Sequence, residues 1–135
     1  STEKMAKAIA DGLVQEKVSV QMFDLKGNHR SDVMTEVLDA GALVFGSSTL
    51  NNGMLPSVAD ILHYMRGLRP QNKIGAAFGS YGWSGEAVKL INKELETMKF
   101  DVLDEGVRVQ YVPDDDAYKA CGDLARKVAQ ALPAQ

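Results

Sequence analysis

The chain has 135 residues, 45% of them hydrophobic and 24% charged, which suits one compact domain with its own core. A total of 15 Lys and Arg against 18 Asp and Glu gives a net charge of −3, so nucleic acid is not an expected partner. No apolar stretch approaches the ~18 residues of a membrane span and no leader pattern opens the chain, so we expect a soluble cytoplasmic protein without membrane contact.

Hydrophobic periodicity predicts alternating helices and strands along the whole chain. In chain order they are a helix over residues 2–15, a strand over 18–25, a helix over 31–38, a strand over 41–46, a helix over 55–67, a strand over 73–78, a helix over 84–98, a strand over 102–112 and a helix over 117–132. The runs at 41–46 and 73–78 are apolar without alternation, which predicts strands buried on both faces.

Residues near the last helix have structural interpretations. Asp114, Asp115 and Asp116 precede it, where carboxylates cap the helix and complement its dipole, and we expect no metal site there. Cys121, the single cysteine, lies on an apolar helical stripe and is predicted to be a core residue. His29 and His63 lack the spacing of metal ligands.

Strict alternation of helices and strands predicts an α/β fold, a three-layer α/β/α doubly wound parallel sheet. Such folds nearly always begin with a strand, whereas this sequence begins at a helix cap. We therefore expect the first strand to be missing before Ser1.

Ligands of doubly wound sheets bind at the carboxyl ends of the strands, and two predicted loops occupy that edge. The first, at 47–54, carries hydroxyls and amides without a charge, and the second, at 79–85, places Tyr81 and Trp83 among small residues. These loops suit a flavin, because its flat ring needs an aromatic wall and backbone hydrogen-bonding groups. Gly79, Gly82 and Gly85 are expected to let the backbone approach the ring.

The amino end of the first helix is suited to a phosphate, because its free N–H groups and the helix dipole both favour an anion. Ser1 and Thr2 lie there. The sequence has no Gly-x-Ser-x-Gly elbow, no Gly-x-Gly-x-x-Gly run and no Walker loop, which argues against a hydrolase, a nicotinamide site or a nucleotide triphosphate site.

Three stretches resemble the FMN-contacting segments of the flavodiiron proteins, also called A-type flavoproteins. They are Ser-Thr-Glu-Lys-Met-Ala at 1–6, Gly-Ser-Ser-Thr-Leu-Asn-Asn at 46–52 and Ala-Phe-Gly-Ser-Tyr-Gly-Trp-Ser-Gly at 77–85. The similarity also takes in Gly-Leu-Arg-Pro at 67–70 and Tyr-Val-Pro-Asp at 111–114, in order and with matching gaps. It therefore covers essentially the whole chain.

The resemblance implies a flavodoxin-like fold that holds FMN in three loops. Ser1 and Thr2 would end the phosphate loop, residues 48–52 would border the ribityl chain and ring, and residues 80–83 would flank the isoalloxazine. The complete set of predicted cofactor-binding residues is Ser1, Thr2, Ser48, Thr49, Leu50, Asn51, Asn52, Gly53, Ser80, Tyr81, Gly82, Trp83, Ser84 and Gly85. No catalytic residue and no metal ligand is predicted.

The resemblance also implies an electron-transfer role. Rubredoxin or an NADH-linked reductase would supply electrons, and a diiron centre that reduces oxygen or nitric oxide would accept them. Because the sequence has no His-x-Glu-x-Asp-His run, residues 1–135 are interpreted as a single flavodoxin-like domain of a larger flavodiiron protein, without its diiron domain and not a complete enzyme. Members of the family pair head to tail, which implies a homodimer for the parent protein.

Two other functions stay open from the sequence. One is an independent flavin reductase that transfers electrons from a nicotinamide to quinones or other small acceptors. The other is a cofactor-free flavodoxin-like interaction module.

Overall fold

The computed structural model describes residues 2–25, 30–47, 56–68, 73–81, 86–103, 106–110 and 114–132. Within these ranges the helices are α1 (Thr2–Gln15), α2 (Arg30–Asp39), α3 (Pro56–Leu68), α4 (Glu86–Thr97) and α5 (Asp115–Ala131). The strands are β1 (Ala42–Gly46), β2 (Ile74–Tyr81), β3 (Asp101–Val102) and β4 (Val107–Gln110). No helix in the described ranges has the length and apolar character of a membrane span.

The four strands form one parallel sheet with β2 at its centre. On one side of β2, β1 pairs along its whole length, from Ala42 opposite Ile74 to Gly46 opposite Phe78. On the other side, β3 pairs with the beginning of β2, and β4 pairs with its end. Parallel strands linked by helices confirm the predicted doubly wound α/β fold.

Two apolar clusters, one on each face of the sheet, make up the core. The first joins α1 and α5 to the sheet through Met5, Ile9, Leu13, Ala76, Phe78, Val107, Ala117, Cys121, Leu124, Ala125 and Val128. The second joins α2, α3 and α4 to the sheet through Val33, Met34, Val37, Val58, Ile61, Leu62, Met65, Ala77, Val88, Ile91, Leu95 and Phe100. Successive strand residues contribute to opposite clusters, as the strand period of two requires. The three-layer arrangement follows.

The predicted strand over residues 18–25 is wrong, because residues 18–24 carry no strand pairing. Val18 and Val20 still pack against the first cluster, and Phe23 and Leu25 pack against the second. In the flavodoxin-like strand order 2-1-3-4-5, the second strand pairs only with the first. None of the described strands corresponds to that first strand. Residues 18–25 therefore bury apolar side chains without forming the hydrogen bonds of a strand pair.

Three features of the strands differ from their predictions. β2 continues through Tyr81 because its end pairs with β4. The predicted strand over 102–112 is divided into β3 and β4. Gly75 pairs with Val102 and Phe78 pairs with Val107, so an advance of three residues along β2 corresponds to five residues between β3 and β4. β1 is only half-buried, because among the described strands it pairs with β2 alone.

The aspartates before α5 have the predicted capping role. The Asp114 carboxylate accepts a hydrogen bond from the Ala117 backbone N–H at 2.9 Å, and Asp115 and Asp116 lie in the first turn. There their negative charge complements the helix dipole. α5 therefore begins at Asp115, two residues before the predicted span over 117–132, with Asp114 as its cap.

Cys121 is a core residue, as predicted, and its burial raises the pKa of its thiol above the ordinary value. A raised pKa leaves less thiolate at a given pH, and the thiolate is the reactive form. We expect the native chain to react with a thiol reagent at pH 8 far more slowly than the urea-unfolded chain. Equal rates, followed by absorbance of the released chromophore, would show that Cys121 is accessible in the native state.

The packing of α1 on α5 depends on Gly12. A Cβ at this position would lie 2.8 Å from the Ala125 Cβ, and Gly122 is adjacent. We predict that Gly12→Ala lowers the free energy of unfolding by about 1–3 kcal/mol, because neither helix backbone can move without cost. The midpoint of urea unfolding measures this change.

Gly67→Ala is the matched control. Gly67 lies in α3, and a methyl group added to its Cα would meet nothing within 4 Å apart from its chain neighbours and the nearby backbone of its own helix, so alanine there should stabilise the helix by about 0.5–1 kcal/mol. A lower free energy of unfolding for Gly12→Ala together with a higher one for Gly67→Ala would support close packing of α1 on α5. If Gly12→Ala stabilises as much as Gly67→Ala does, the proposed constraint is absent.

Candidate functional site

The carboxyl edge of the sheet brings together the starting points of the two predicted cofactor loops. β1, β2 and β4 are parallel, so their carboxyl ends meet at one edge. Gly46 at the end of β1 pairs with Phe78, and β2 runs three residues further to Tyr81, about 10 Å at the usual rise per residue. The loops after Ser47 and Tyr81 thus leave neighbouring strands at different heights.

Ser47 joins the ends of β1 and β2 through its backbone. Its N–H donates a hydrogen bond to the Phe78 carbonyl at 3.1 Å, and the residue is fully buried. A Cβ at Gly79 would lie 2.1 Å from the Ser47 carbonyl oxygen, which no side chain can tolerate. Glycine at position 79 is therefore required by the approach of Ser47, whereas the sequence interpretation assigned its small size to the flavin ring.

The first turn of α4 is held against the same edge by Val88. Its Cγ1 would lie 2.3 Å from a Cβ at Gly106, and its Cγ2 would lie 3.3 Å from a Cβ at Gly79. Gly106 also has a φ of +98°, in the left-handed region that favours glycine. Gly79 in β2 and Gly106 just before β4 thus leave room for the Val88 side chain, which fixes the start of α4 beside the end of β2.

The predicted site residues fall into three groups in the structure. Thr2 is the first residue of α1 and is partly exposed. Ser80 and Tyr81 belong to β2 and pair with β4, so their prediction as loop residues is corrected. Ser1 and the remaining predicted residues, which are Ser48, Thr49, Leu50, Asn51, Asn52, Gly53, Gly82, Trp83, Ser84 and Gly85, lie outside the described residues.

Metal-binding groups do not converge in the part of the chain that the structure describes, where no three His, Cys, Asp or Glu side chains come together. His63 is exposed on α3. Lys73 is a buried cation, and its ammonium group donates to the Ala40 carbonyl just after the end of α2. It lies at the amino end of β2, opposite the edge from which the predicted loops leave.

The described strand ends fit FMN in one respect and the first helix in another. β1 and β2 end side by side, and the sequences that follow them, at 48–53 and 82–85, contain no ionisable side chain, which suits a flat uncharged ring. The amino end of α1 suits a phosphate, because its backbone N–H groups and the helix dipole both favour an anion. Ser47, buried at the base of the first loop, holds this arrangement together.

Sequence reasoning did not identify Ser47 or Gly106 as site-forming residues. Ser47 was assigned to the predicted flavin loop at 47–54 without a role of its own, although its position directly after the apolar run of β1 was a signal of burial. Gly106 follows Asp104 and Glu105 in a stretch predicted as continuous strand, and a glycine inside a strand often marks a bulge.

The sequence profile of the flavodoxin family matches residues 1–123. The chain is 47% identical over 135 residues to the rubredoxin-oxygen oxidoreductase of Megalodesulfovibrio gigas, covering 100% of this chain and 34% of that protein. It is 46% identical over 133 residues to the nitric oxide reductase of Moorella thermoacetica, covering 98% of this chain and 33% of that protein. The chain thus spans about a third of the length of these relatives.

Solved structures give the same result. The flavodiiron protein of Giardia intestinalis superposes with a TM-score of 0.92 at 33% identity, covering 96% of this chain and 32% of that one. An archaeal flavodoxin superposes with a TM-score of 0.86 at 35% identity, covering 96% of this chain and 88% of that one. FMN is the cofactor of this family. The chain therefore belongs to the flavodoxin family, and it matches the flavodoxin-like domain of flavodiiron proteins.

Proposed function

We propose that this chain is the FMN electron-transfer module of a larger protein, in which it delivers electrons to a diiron centre that reduces oxygen or nitric oxide. The observation that carries this proposal is that β1 and β2 end side by side, joined by the Ser47–Phe78 hydrogen bond, and that uncharged sequences at 48–53 and 82–85 follow these two strands. The names of the relatives supply the reactions, since they are reductases of oxygen and nitric oxide. Residues 1–135 would form a single domain of that protein.

The residues would share the cofactor as follows. Backbone N–H groups at Ser1 and Thr2 would bind the phosphate, residues 48–53 would contact the ribityl chain and one ring edge, and residues 80–85 would cover the ring. When bound, FMN supplies one- and two-electron redox chemistry that no side chain of this sequence offers. The protein orients the ring, excludes water from one face and sets its potential through backbone hydrogen bonds.

Rubredoxin or an NADH-linked reductase is the proposed electron donor, and the diiron domain of the parent protein is the proposed acceptor. The name of the M. gigas relative links rubredoxin to oxygen reduction. A homodimer of the parent protein would bring the flavin of one subunit close to the iron of the other. The proposed site of action is the cytoplasm.

Cofactor loading tests the proposal directly. The purified chain is mixed with FMN, freed of excess by gel filtration, and examined by visible absorbance and flavin fluorescence. We expect retained flavin absorbance with quenched fluorescence, because an aromatic side chain stacked on the ring quenches emission. The same experiment uses a chain extended at its amino end by the residues that precede the matched segment in the M. gigas relative.

The two chains separate the outcomes. Flavin retained only by the extended chain would support the proposal and assign phosphate affinity to upstream residues. No flavin in either chain would overturn it in favour of a cofactor-free interaction module. Steady NADH oxidation by the loaded chain with quinone alone would instead favour an independent flavin reductase.

Trp83 distinguishes ring stacking from core packing. We predict that Trp83→Ala weakens FMN binding at least roughly tenfold, equivalent to about 1.4 kcal/mol, because the stacked face of the ring becomes exposed to water. The stability of the chain without FMN should change little. Fluorescence titration measures the Kd, and urea unfolding measures stability.

Trp83→Phe is the matched control, since it keeps an aromatic face and should retain most of the affinity. A loss of about 3–5 kcal/mol in the stability of the FMN-free Trp83→Ala variant would be typical of a buried aromatic side chain. That result would place Trp83 in the core and remove it from the cofactor site.

A further inference from the structure

A groove of about 600 Å³ runs along the edge of the sheet between α4 and the strands β3 and β4. Its floor contains the half-buried apolar side chains of Val102 and Leu103. Its rim is charged and mostly exposed: Lys89 and Lys93 come from α4, and Arg108 comes from β4. Glu96 is the one carboxylate among the lining residues that the structure describes.

The charge of the groove is opposite to that of the chain. Three cations and one carboxylate give its described lining a charge of +2, whereas the whole chain has a charge of −3. Lys89 has a weak partner in Glu86, at 3.8 Å with both side chains well exposed. Asp104 and Glu105 follow Leu103 in the sequence and lie outside the described residues, so the count applies to the described lining alone.

The three cations of the groove come from two elements. Lys89 and Lys93 are four residues apart on α4, and Glu86 and Glu96, each three residues from one of these lysines, offset part of the repulsion between them. Arg108 adds a third positive charge from the sheet. Exposed cations that a helix and a strand bring together are typical of a surface that attracts a negatively charged partner.

The groove lies next to the proposed cofactor site. Arg108 pairs with Gly79, the residue that packs against Ser47 at the base of the first loop. Lys89 is in the first turn of α4, which follows residues 82–85 directly in the sequence. The end of the groove at Arg108 and Lys89 is thus the end that faces the proposed site, whereas Val102 lies level with Gly75 near the beginning of β2. A partner bound at the first of these ends would lie close to the end of β2 and the start of α4, which residues 82–85 connect in the sequence.

We propose that this groove docks the acidic surface of a protein that exchanges electrons with the flavin. The inference rests on the proposed function, because it assigns a partner surface to that same site. The groove suits a protein better than a small anion, since small-molecule sites are mostly apolar and enclose their ligand, whereas these cations are exposed. Exposed charges of this kind act mainly by accelerating association.

The test is stopped-flow reduction of the FMN-loaded chain by a reduced rubredoxin of negative net charge, at several salt concentrations. Lys89→Glu/Lys93→Glu is compared with Lys119→Glu/Lys127→Glu, which makes the same change in net charge on α5, on the opposite face of the sheet. We expect the groove variant to lower the second-order rate constant roughly tenfold at low salt and the control variant to lower it less than about twofold.

Further readouts separate docking from flavin chemistry. The rate constant of the unaltered chain should fall steeply with added salt, and that of the groove variant should fall much less, since its steering charges are gone. Flavin content, visible spectrum and reduction by dithionite should be the same in all three chains. Arg108→Gln, on the other wall of the groove, should also slow reduction by rubredoxin.

Each contrary result has a distinct meaning. Equal slowing by the two double variants would overturn the docking surface, because net charge alone would explain it, while the proposed function would stand. Loss of flavin from the groove variant would also overturn it by placing the lysines in the cofactor site. If rubredoxin does not reduce the unaltered FMN-loaded chain, both the proposed donor and the proposed docking surface are wrong. A chain that retains no FMN overturns the proposed function itself.

Discussion

The backbone approach of Ser47 to β2 is the constraint on which the arrangement of this domain's functional edge depends. The Ser47 N–H continues the β1 to β2 ladder by one hydrogen bond, to Phe78, and its carbonyl lies over Gly79 where any other residue would clash. The first loop therefore starts from a buried residue that is tied to the sheet. Sites built on rigid strand ends hold ligands with less loss of entropy than sites that must order on binding.

Val88 extends this constraint from the sheet to the helix layer. It occupies the space left by the missing side chains of Gly79 and Gly106, and it is almost completely buried. Since Gly79 lies against both Ser47 and Val88, one glycine sets the distance of the end of β1 and of the start of α4 from β2. In the sequence, residues 82–85 connect Tyr81 of β2 to Glu86 of α4.

The sequence was sufficient for features that depend on local pattern. Helical periodicity placed α1 and α5 correctly, and the aspartate signal at Asp114 located the cap of α5. Residues 18–25 show the limit of such reasoning, because a β-rich run becomes a strand only when a neighbour supplies hydrogen bonds. The extension of β2 through Tyr81 likewise depends on pairing with β4, which no pattern within residues 73–81 could reveal.

The strand ends that border the proposed site were predictable, and the packing between them was not. The sequence predicts strands that end at Gly46 and Phe78, and the structure pairs these two residues at the carboxyl edge, where doubly wound sheets bind ligands. The reason for a glycine at position 79 could not be read from the sequence. A glycine that makes room for a ligand and a glycine that makes room for a backbone carbonyl are the same letter in a single sequence. The structure distinguishes them, since the nearest atom to the absent Cβ belongs to Ser47.

The two faces of the sheet have different roles, and the difference follows from how each is packed. On the face covered by α1 and α5, small residues at 12, 122 and 125 let the two helices pack closely. This packing stabilises the fold and leaves little space between these helices for a ligand. On the other face, the groove with Lys89, Lys93 and Arg108 lies between α4 and the strands β3 and β4. Gly106, in the left-handed region, leaves room for Val88 of α4 just before β4 begins. The same glycine therefore helps to position α4, the helix that carries two of the three cations of the groove.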